Sequence, residues 1–535
     1  MTMKVEQIIA TPDEIELYIP ELPLVSKVYA EARLPLVTGN ARSKHHGRIV
    51  AVTEKKRKHS IIFDRYAGDV DLLLCRFEAV VGGKILDGVR FVTDMAEECS
   101  ASAPAPFAVD RPVGTWVTST PEDIDYLGMG CMMTEINSPW IQKLAPEEND
   151  IAHVFCGKTY YFDKTTMDLY DRLMQPCIAR GIPCLIRMIN RFYYRLKGSD
   201  DALTKIIGHP GYESTGFSEQ MSAFNLRTEE GFWMYCAFID FICARYVDAA
   251  SALFCSDVLD IGNEINAQDT WHNMGAISCA DFMEEYTVSL RLAHLIARKY
   301  NANARVNISL DHYFASALKD DPQHMYHGRA CLAYLVEYCH RDGDFDWGIA
   351  AHPYPENLTK PDFYNDTTAT YDWNTPRITM KNLEMLQALA ELPQFLYRGK
   401  VRTIVCDEQG FHTDYNDPES ESKGAYAFVL CMEKLQKCPN ITWFLINRYA
   451  DMPLGDEGGL HLGLRYEKGY ADDMHLLINP GDYKKICHAM RAWGTDEWQK
   501  WIDEARAYIG AERYDSLLYP VLPGADSADL EDWMQ

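Results

Sequence analysis

The sequence predicts an α/β fold: a (β/α)8 TIM barrel preceded by an N-terminal β-sandwich domain. Three observations carry that expectation. Short strand-like runs crowd the N-terminal part, an Ala- and Pro-rich stretch interrupts them, and apolar strands then alternate with long amphipathic helices to the end of the chain. The expected domains are residues 1–110 and 111–535.

The N-terminal strands are expected at residues 14–19, 27–36, 48–53, 60–65, 72–81 and 89–93. Turn pairs such as Gly39-Asn40, Gly82-Gly83 and Asp87-Gly88 punctuate them. Residues 100–112 suit neither a strand nor a helix and read as the linker.

Barrel strands are expected at 125–134, 183–190, 221–225, 258–263, 305–310, 347–352, 401–407 and 441–447. Helices are expected at 165–180, 228–247, 281–300, 325–341, 376–392, 418–437 and 483–508. Residues 151–163, with Gly157-Lys158 between two strand-like pieces, read as a hairpin inserted after the first strand. A doubly wound open sheet fits less well, because no GxGxxG or GxxxxGK[ST] signature follows an early strand.

Lys and Arg total 52 against 78 Asp and Glu, a net charge of -26, which opposes binding to nucleic acid or anionic membranes. No stretch of about 18 apolar residues is present, so a membrane span is not expected. The acidic first twenty or so residues do not resemble a secretion signal, and a cytoplasmic location is the expectation. The 16 cysteines lack close CxxC pairing and read as buried thiols. The basic run from Lys55 to Lys58 reads as a solvated hairpin.

Barrel enzymes hold their active sites at the C-terminal ends of the strands. Glu264, Asn266, His312, His352, Tyr354, Glu408, Arg448 and the nearby Trp443 all fall at or near such ends. Glycosidic cleavage needs one carboxyl to protonate the leaving oxygen and another to attack the anomeric carbon or activate water. Glu264 and Glu408 each close an apolar β-branched run and could form that pair, although Asp407 would replace Glu408 if the register slipped by one. Asp311 and His312, as strand neighbours, should point to opposite faces and not share a ligand.

Residues 115–510 resemble clan A of the glycoside hydrolases, retaining enzymes with an Asn-Glu pair on strand 4 and a Glu on strand 7. Asn263-Glu264 matches the first motif and Glu408 the second. The stretch Gly-Asn-Glu-Ile-Asn, followed by Trp271 and Asn273, is also similar to a bacterial branch of barrel proteins. The resemblance implies a retaining β-glycosidase that uses no metal or organic cofactor, with Glu264 as acid/base and Glu408 as nucleophile. By the same analogy Asn263 contacts the sugar 2-hydroxyl and Trp443 stacks on the sugar. Arg187, on the second strand, or Arg191 would keep Glu408 ionised, while His352 and Tyr354 orient Glu408 or the sugar. Asn266, Trp271, His312, Tyr313 and Trp373 would surround the same mouth. The expected partner is a carbohydrate. The sandwich could bind sugar, shape the cleft wall or support a homo-oligomer. A catalytically silent sugar-binding barrel and a transglycosidase are the alternatives.

Overall fold

The computed structural model describes residues 3–23, 27–37, 47–192, 202–216, 220–453, 459–471 and 477–534. The expected turn at Gly39-Asn40 lies outside them.

Two sheets form the N-terminal unit. One runs Lys84–Ile85, Arg76–Val81, Val28–Arg33, Ile49–Thr53, and the other Asp94–Met95, Gln7–Ala10, Glu14–Tyr18, Ser60–Asp64, Lys56–Arg57. Along Glu14–Tyr18 and Val28–Arg33 every second residue is buried, so one face of each strand enters a shared core. Ile15, Leu17, Ala30, Phe63 and Phe77 fill that core, with the rings of Phe63 and Phe77 5.4 Å apart. The basic run forms a surface hairpin in which Lys55 pairs with Asp64 and Arg57 with Glu14.

Eight parallel strands close the barrel: β1 (Val113–Trp116), β2 (Cys131–Asn137), β3 (Cys184–Ile189), β4 (Val258–Ile261), β5 (Arg305–Leu310), β6 (Trp347–Ala351), β7 (Ile404–Gln409) and β8 (Ile441–Ile446). Val113 opposite Phe444 completes the ring. The principal helices between and after them are α1 (Pro121–Leu127), α2 (Lys164–Ile178), α3 (Glu229–Tyr246), α4 (Cys279–Tyr300), α5 (Gly328–Asp342), α6 (Glu384–Ala390), α7 (Ser420–Leu435) and α8 (Lys485–Ala492). Polar caps start several of them: Asp163, Thr228 and Ser278 accept from the backbone N–H of Thr166, Gly231 and Asp281.

The strand count matches the sequence expectation, but its composition does not. Val113–Trp116 was not expected to be a strand; its four residues include a glycine and give little signal. Residues 125–134 divide between α1 and β2. Residues 221–225 form only isolated bridges, Met221 to Arg191, Ser222 to Asn273 and Phe224 to Gly208. Arg187 consequently stands on the third strand, whereas Glu264 and Glu408 still follow the fourth and end the seventh. The helix expected over 376–392 shortens to α6, and the one over 483–508 breaks into α8 and Trp498–Ile509.

The predicted hairpin is present as Ile151–Phe155 and Lys158–Phe162, after β2. It covers the outer side of α3, where Phe162 and Phe241 stack 3.8 Å apart and His153 meets Asp240 at 2.8 Å. This explains why α3 is buried almost all round.

The linker is held to α4: Ser100 and Ser102 donate to the carbonyls of Arg298 and Tyr300, each at 2.6 Å. Leu295 of α4 belongs to the sandwich core, while Phe91 from the sandwich side joins the barrel core. Among the described residues, no helix is long and apolar enough to cross a membrane. All 16 cysteines are free.

Candidate active site

A cavity of about 690 Å³ opens at the C-terminal end of the barrel, a size suited to a small-molecule ligand. Glu264, Glu408, Asn263, Arg187, Trp271, His312 and Tyr354 all border it. Among the described residues, none that lines the cleft precedes Trp116.

Glu264 is set by a tight turn. β4 is buried throughout, and the chain then reverses through Gly262 at φ 83°. Glu264 itself has φ 36°, a left-handed conformation uncommon for a residue with a Cβ. Its N–H donates to Ser309 Oγ at 3.1 Å and the next N–H, of Ile265, to the Ser309 carbonyl at 3.0 Å. Both bonds come from β5, which therefore fixes the turn. The carboxylate meets His352 Nδ1 at 2.8 Å.

Glu408 is set by a bulge. Between the pairs Cys406–Phe444 and Gln409–Ile446, β7 has one more residue than β8. Strict alternation would send Asp407 and Glu408 to opposite faces. With the bulge, both reach one guanidinium: Arg187 donates Nη2 to Asp407 at 2.5 Å and Nη1 to Glu408 at 2.6 Å. Asp407 is completely buried, while the Glu408 carboxylate retains 15% side-chain exposure and faces the cleft. Tyr354 donates to Glu408 Oε1 at 3.2 Å, and Asn447 Nδ2 lies 3.4 Å from that oxygen and 2.9 Å from the Tyr354 hydroxyl. Burial alone would raise the Glu408 pKa, but Arg187 and then His352 outweigh it and hold the carboxyl below its usual range.

His352, at the end of β6, lies between acids. Its Nδ1 faces Glu264, and Nε2 lies 3.3 Å from Asp407 Oδ2. Burial opposes the imidazolium, yet Asp407 and Glu408 raise its pKa well above the ordinary value. Ligand atoms of Glu264, His352 and Glu408 lie within 4.8 Å of one another, a spacing that would suit a metal. These atoms already have protein partners, His352 Nδ1 meeting Glu264 and Arg187 supplying the positive charge beside Glu408.

Asp311, immediately after β5, also borders the cleft. It accepts from Asn266 Nδ2 at 2.5 Å and from the Tyr313 N–H at 2.7 Å. Burial, and next the Glu264 charge, push its pKa up to about 8. His312 borders the cleft too, because the strand ends at Leu310 and the expected alternation no longer applies. Its Nε2 is buried without a partner, and burial followed by Arg377 lowers its pKa to about 3, leaving a neutral ring. Asn263 Oδ1 is likewise buried and unpartnered.

Several expected positions lie elsewhere. Trp443 points into the barrel interior, packed with Met133, Leu185, Val258 and Val405, and does not border the cleft. Asn266 sits behind the cleft, where its Oδ1 accepts from the Asp311 N–H at 3.0 Å. Trp373 packs 5.9 Å from Trp533 and donates to the Gly524 carbonyl. Arg191 pairs with Glu135 at 3.4 Å and leaves Glu408 to Arg187. Trp271 does border the cleft but is only 8% exposed, lodged among Ile189, Met221 and Met325.

Trp116 carries no site signal in the sequence, because β1 is too short to show a strand pattern. Trp116 borders the cleft and donates Nε1 to Asn447 Oδ1 at 2.9 Å. Asn447 could have been found as a polar residue ending an apolar strand, the signal that identified the glutamates. Asp311, which directly follows the apolar strand β5, carries the same signal.

The chain is similar in structure to a family 39 glycoside hydrolase from Bacteroides cellulosilyticus WH2, with 12% identity over 92% of this chain and 81% of that one, and a TM-score of 0.42. For a β-glucosidase from Pyrococcus furiosus the values are 13%, 73%, 87% and 0.44. For a family 1 β-glucosidase from Thermotoga maritima they are 12%, 72%, 85% and 0.40. No curated protein matches the chain. The model of a family of unknown function (DUF5722) matches residues 113–517, from the first residue of β1 to well beyond α8, and the chain belongs to that family.

Proposed function

We propose that this protein is a retaining glycoside hydrolase in which Glu408 is the nucleophile and Glu264 the acid/base. The observation that carries this reading is the pair itself. Two glutamates, one after β4 and one on β7, bring carboxylate oxygens within 4.8 Å of each other, each with different partners. Retention goes with carboxyls about 5 to 5.5 Å apart and inversion with about 6.5 to 9.5 Å, which admits a water; an approach of one oxygen from each within 4.8 Å is compatible with the closer spacing.

The chemistry follows from the partners. Arg187 and Tyr354 keep Glu408 ionised and aimed, ready to attack the anomeric carbon as the glycosidic oxygen leaves with a proton from Glu264. The C–O bond formed to Glu408 is then broken by water, from which Glu264 takes a proton. Asn263 Oδ1 and His312 Nε2, buried and without partners at the cleft, are available to sugar hydroxyls. Trp116, half-buried at the end of β1 and bordering the cleft, is the candidate for the ring face that Trp443 does not offer.

A panel of aryl glycosides tests this with wild type and Glu408→Gly. The variant is expected to lose hydrolysis by about 10⁴-fold or more and to regain turnover with azide, giving a glycosyl azide of inverted anomeric configuration. Hydrolysis that survives the substitution unchanged would remove Glu408 from the mechanism.

A further inference from the structure

Below the cleft, two cations connect the glutamates to one buried acid. Arg187 divides its guanidinium between Glu408 and Asp407, and His352 divides its ring between Glu264 and Asp407. Both cations meet the same oxygen, Asp407 Oδ2. The other oxygen, Oδ1, is buried and receives no donor.

Asp260, on β4, shows the same half-satisfied state. Its Oδ1 accepts from Asn307 Nδ2 at 2.8 Å, while Oδ2 is buried and receives no donor. Neither aspartate has any exposure, and their carboxyls are in hydrogen-bond contact. Two ionised carboxylates in contact inside a barrel would repel strongly, with no water to screen them. One proton shared by the two carboxyls removes that repulsion and supplies the donor that each lacks.

We propose that Asp260 is a protonated carboxyl that donates to Asp407, and that this pair is a positioning device setting the charge around Glu264 and Glu408. Burial and then the Asp407 charge drive the Asp260 pKa well above its usual range, while His352 and Arg187 overcome burial and hold Asp407 well below. With Asp260 neutral, Arg187 and His352 balance Asp407 and Glu408, so the surroundings of Glu264 carry no net charge. The other titratable groups nearby do not alter this count. Glu135 is paired with Arg191, Asp311 keeps its proton near neutral pH, and the Tyr286 hydroxyl on α4 is neutral and bound to the Ile261 carbonyl.

Infrared difference spectra of the full chain at about pH 10 test the protonation directly, since ordinary carboxyls are ionised there. Wild type minus Asp260→Asn is expected to show the carbonyl stretch of a protonated carboxyl, and Asp311→Asn is expected to leave that band in place. A difference spectrum without the band would overturn the proposal. The activity arm depends on the glycosidase reading; the spectroscopic arm does not, so the two can fail separately. In kcat/KM profiles, Asp407→Asn leaves one unbalanced positive charge and is expected to move the alkaline limb down by about one pH unit or more. Asp260→Asn, whose amide can donate in place of the proton, is expected to keep the limb near its wild-type position and to retain more activity than Asp260→Leu. Equal displacement of the limb by Asp260→Asn and Asp407→Asn would show that Asp260 is ionised and would also overturn the proposal.

Discussion

Asp311 shows how a single side chain at the cleft couples site and stability. Its pKa, pushed up to about 8 by burial and by Glu264, exceeds that of the unfolded chain. The folded state therefore binds the extra proton, and the stability this gives is complete below about pH 4 and lost as pH rises through about 8. Asp311→Asn removes the titration while keeping an oxygen for Asn266 and the Tyr313 N–H. The variant is expected to lose less stability than wild type between about pH 6 and about pH 9, by on the order of 2 kcal/mol. Chemical denaturation at both pH values measures this, and equal losses in the two proteins would contradict it. Asp366, pushed up to about 7 mainly by burial, titrates in the same window and leaves a residual slope in both.

At the scale of elements, the site depends on departures from regular strands. The β7 bulge delivers two consecutive acids to Arg187, and the turn after β4 places Glu264 over β5. Glycine permits a third close approach: a Cβ on Gly348 of β6 would fall 2.3 Å from Asn307 Oδ1 and 2.8 Å from the Thr403 carbonyl. Asn307 is the donor to Asp260, so Gly348→Ala should displace the support of the buried acid pair. A destabilisation of about 1 to 3 kcal/mol is expected, with reduced kcat, measured by urea unfolding and steady-state kinetics. A variant with wild-type stability would show that β6 can move aside.

At the scale of the molecule, the sandwich and barrel share buried surface. Arg291 of α4 lies between the rings of Phe91 and Phe345, 4.8 and 4.6 Å from their centres, and Leu295 enters the sandwich core. We propose that residues 1–110 and 111–535 are two architectural units that unfold together, because separating them would expose Leu295 and a buried guanidinium edge. Scanning calorimetry of the whole chain is expected to give one transition, and two resolved peaks would refute the coupling. No described residue of the sandwich lines the cleft, so its contribution to activity is expected through the support of α4.

Much of this architecture was legible in the sequence. Period-two and helical patterns revealed the sandwich, the linker and most barrel strands, since burial of alternate or stripe positions leaves its mark on local composition. Carboxylates ending apolar strands marked Glu264 and Glu408 for the same reason. The strand β1 was not legible, being too short to carry a pattern, and the bridges at 221–225 imitated a strand by composition alone.

The tertiary structure decided what spacing cannot encode. Trp443 occupies the interior because of its depth along β8, a matter of barrel stagger. Asp407 and Glu408 act on one arginine because of a bulge defined only against the neighbouring strand. The Asp260–Asp407 contact joins residues 147 positions apart in sequence, and its shared proton follows from burial and proximity. By itself the sequence placed Glu264 and Glu408 at the barrel mouth; only the fold added Asp311 to them and decided which partners set their charge, because electrostatic environment depends on distance through space.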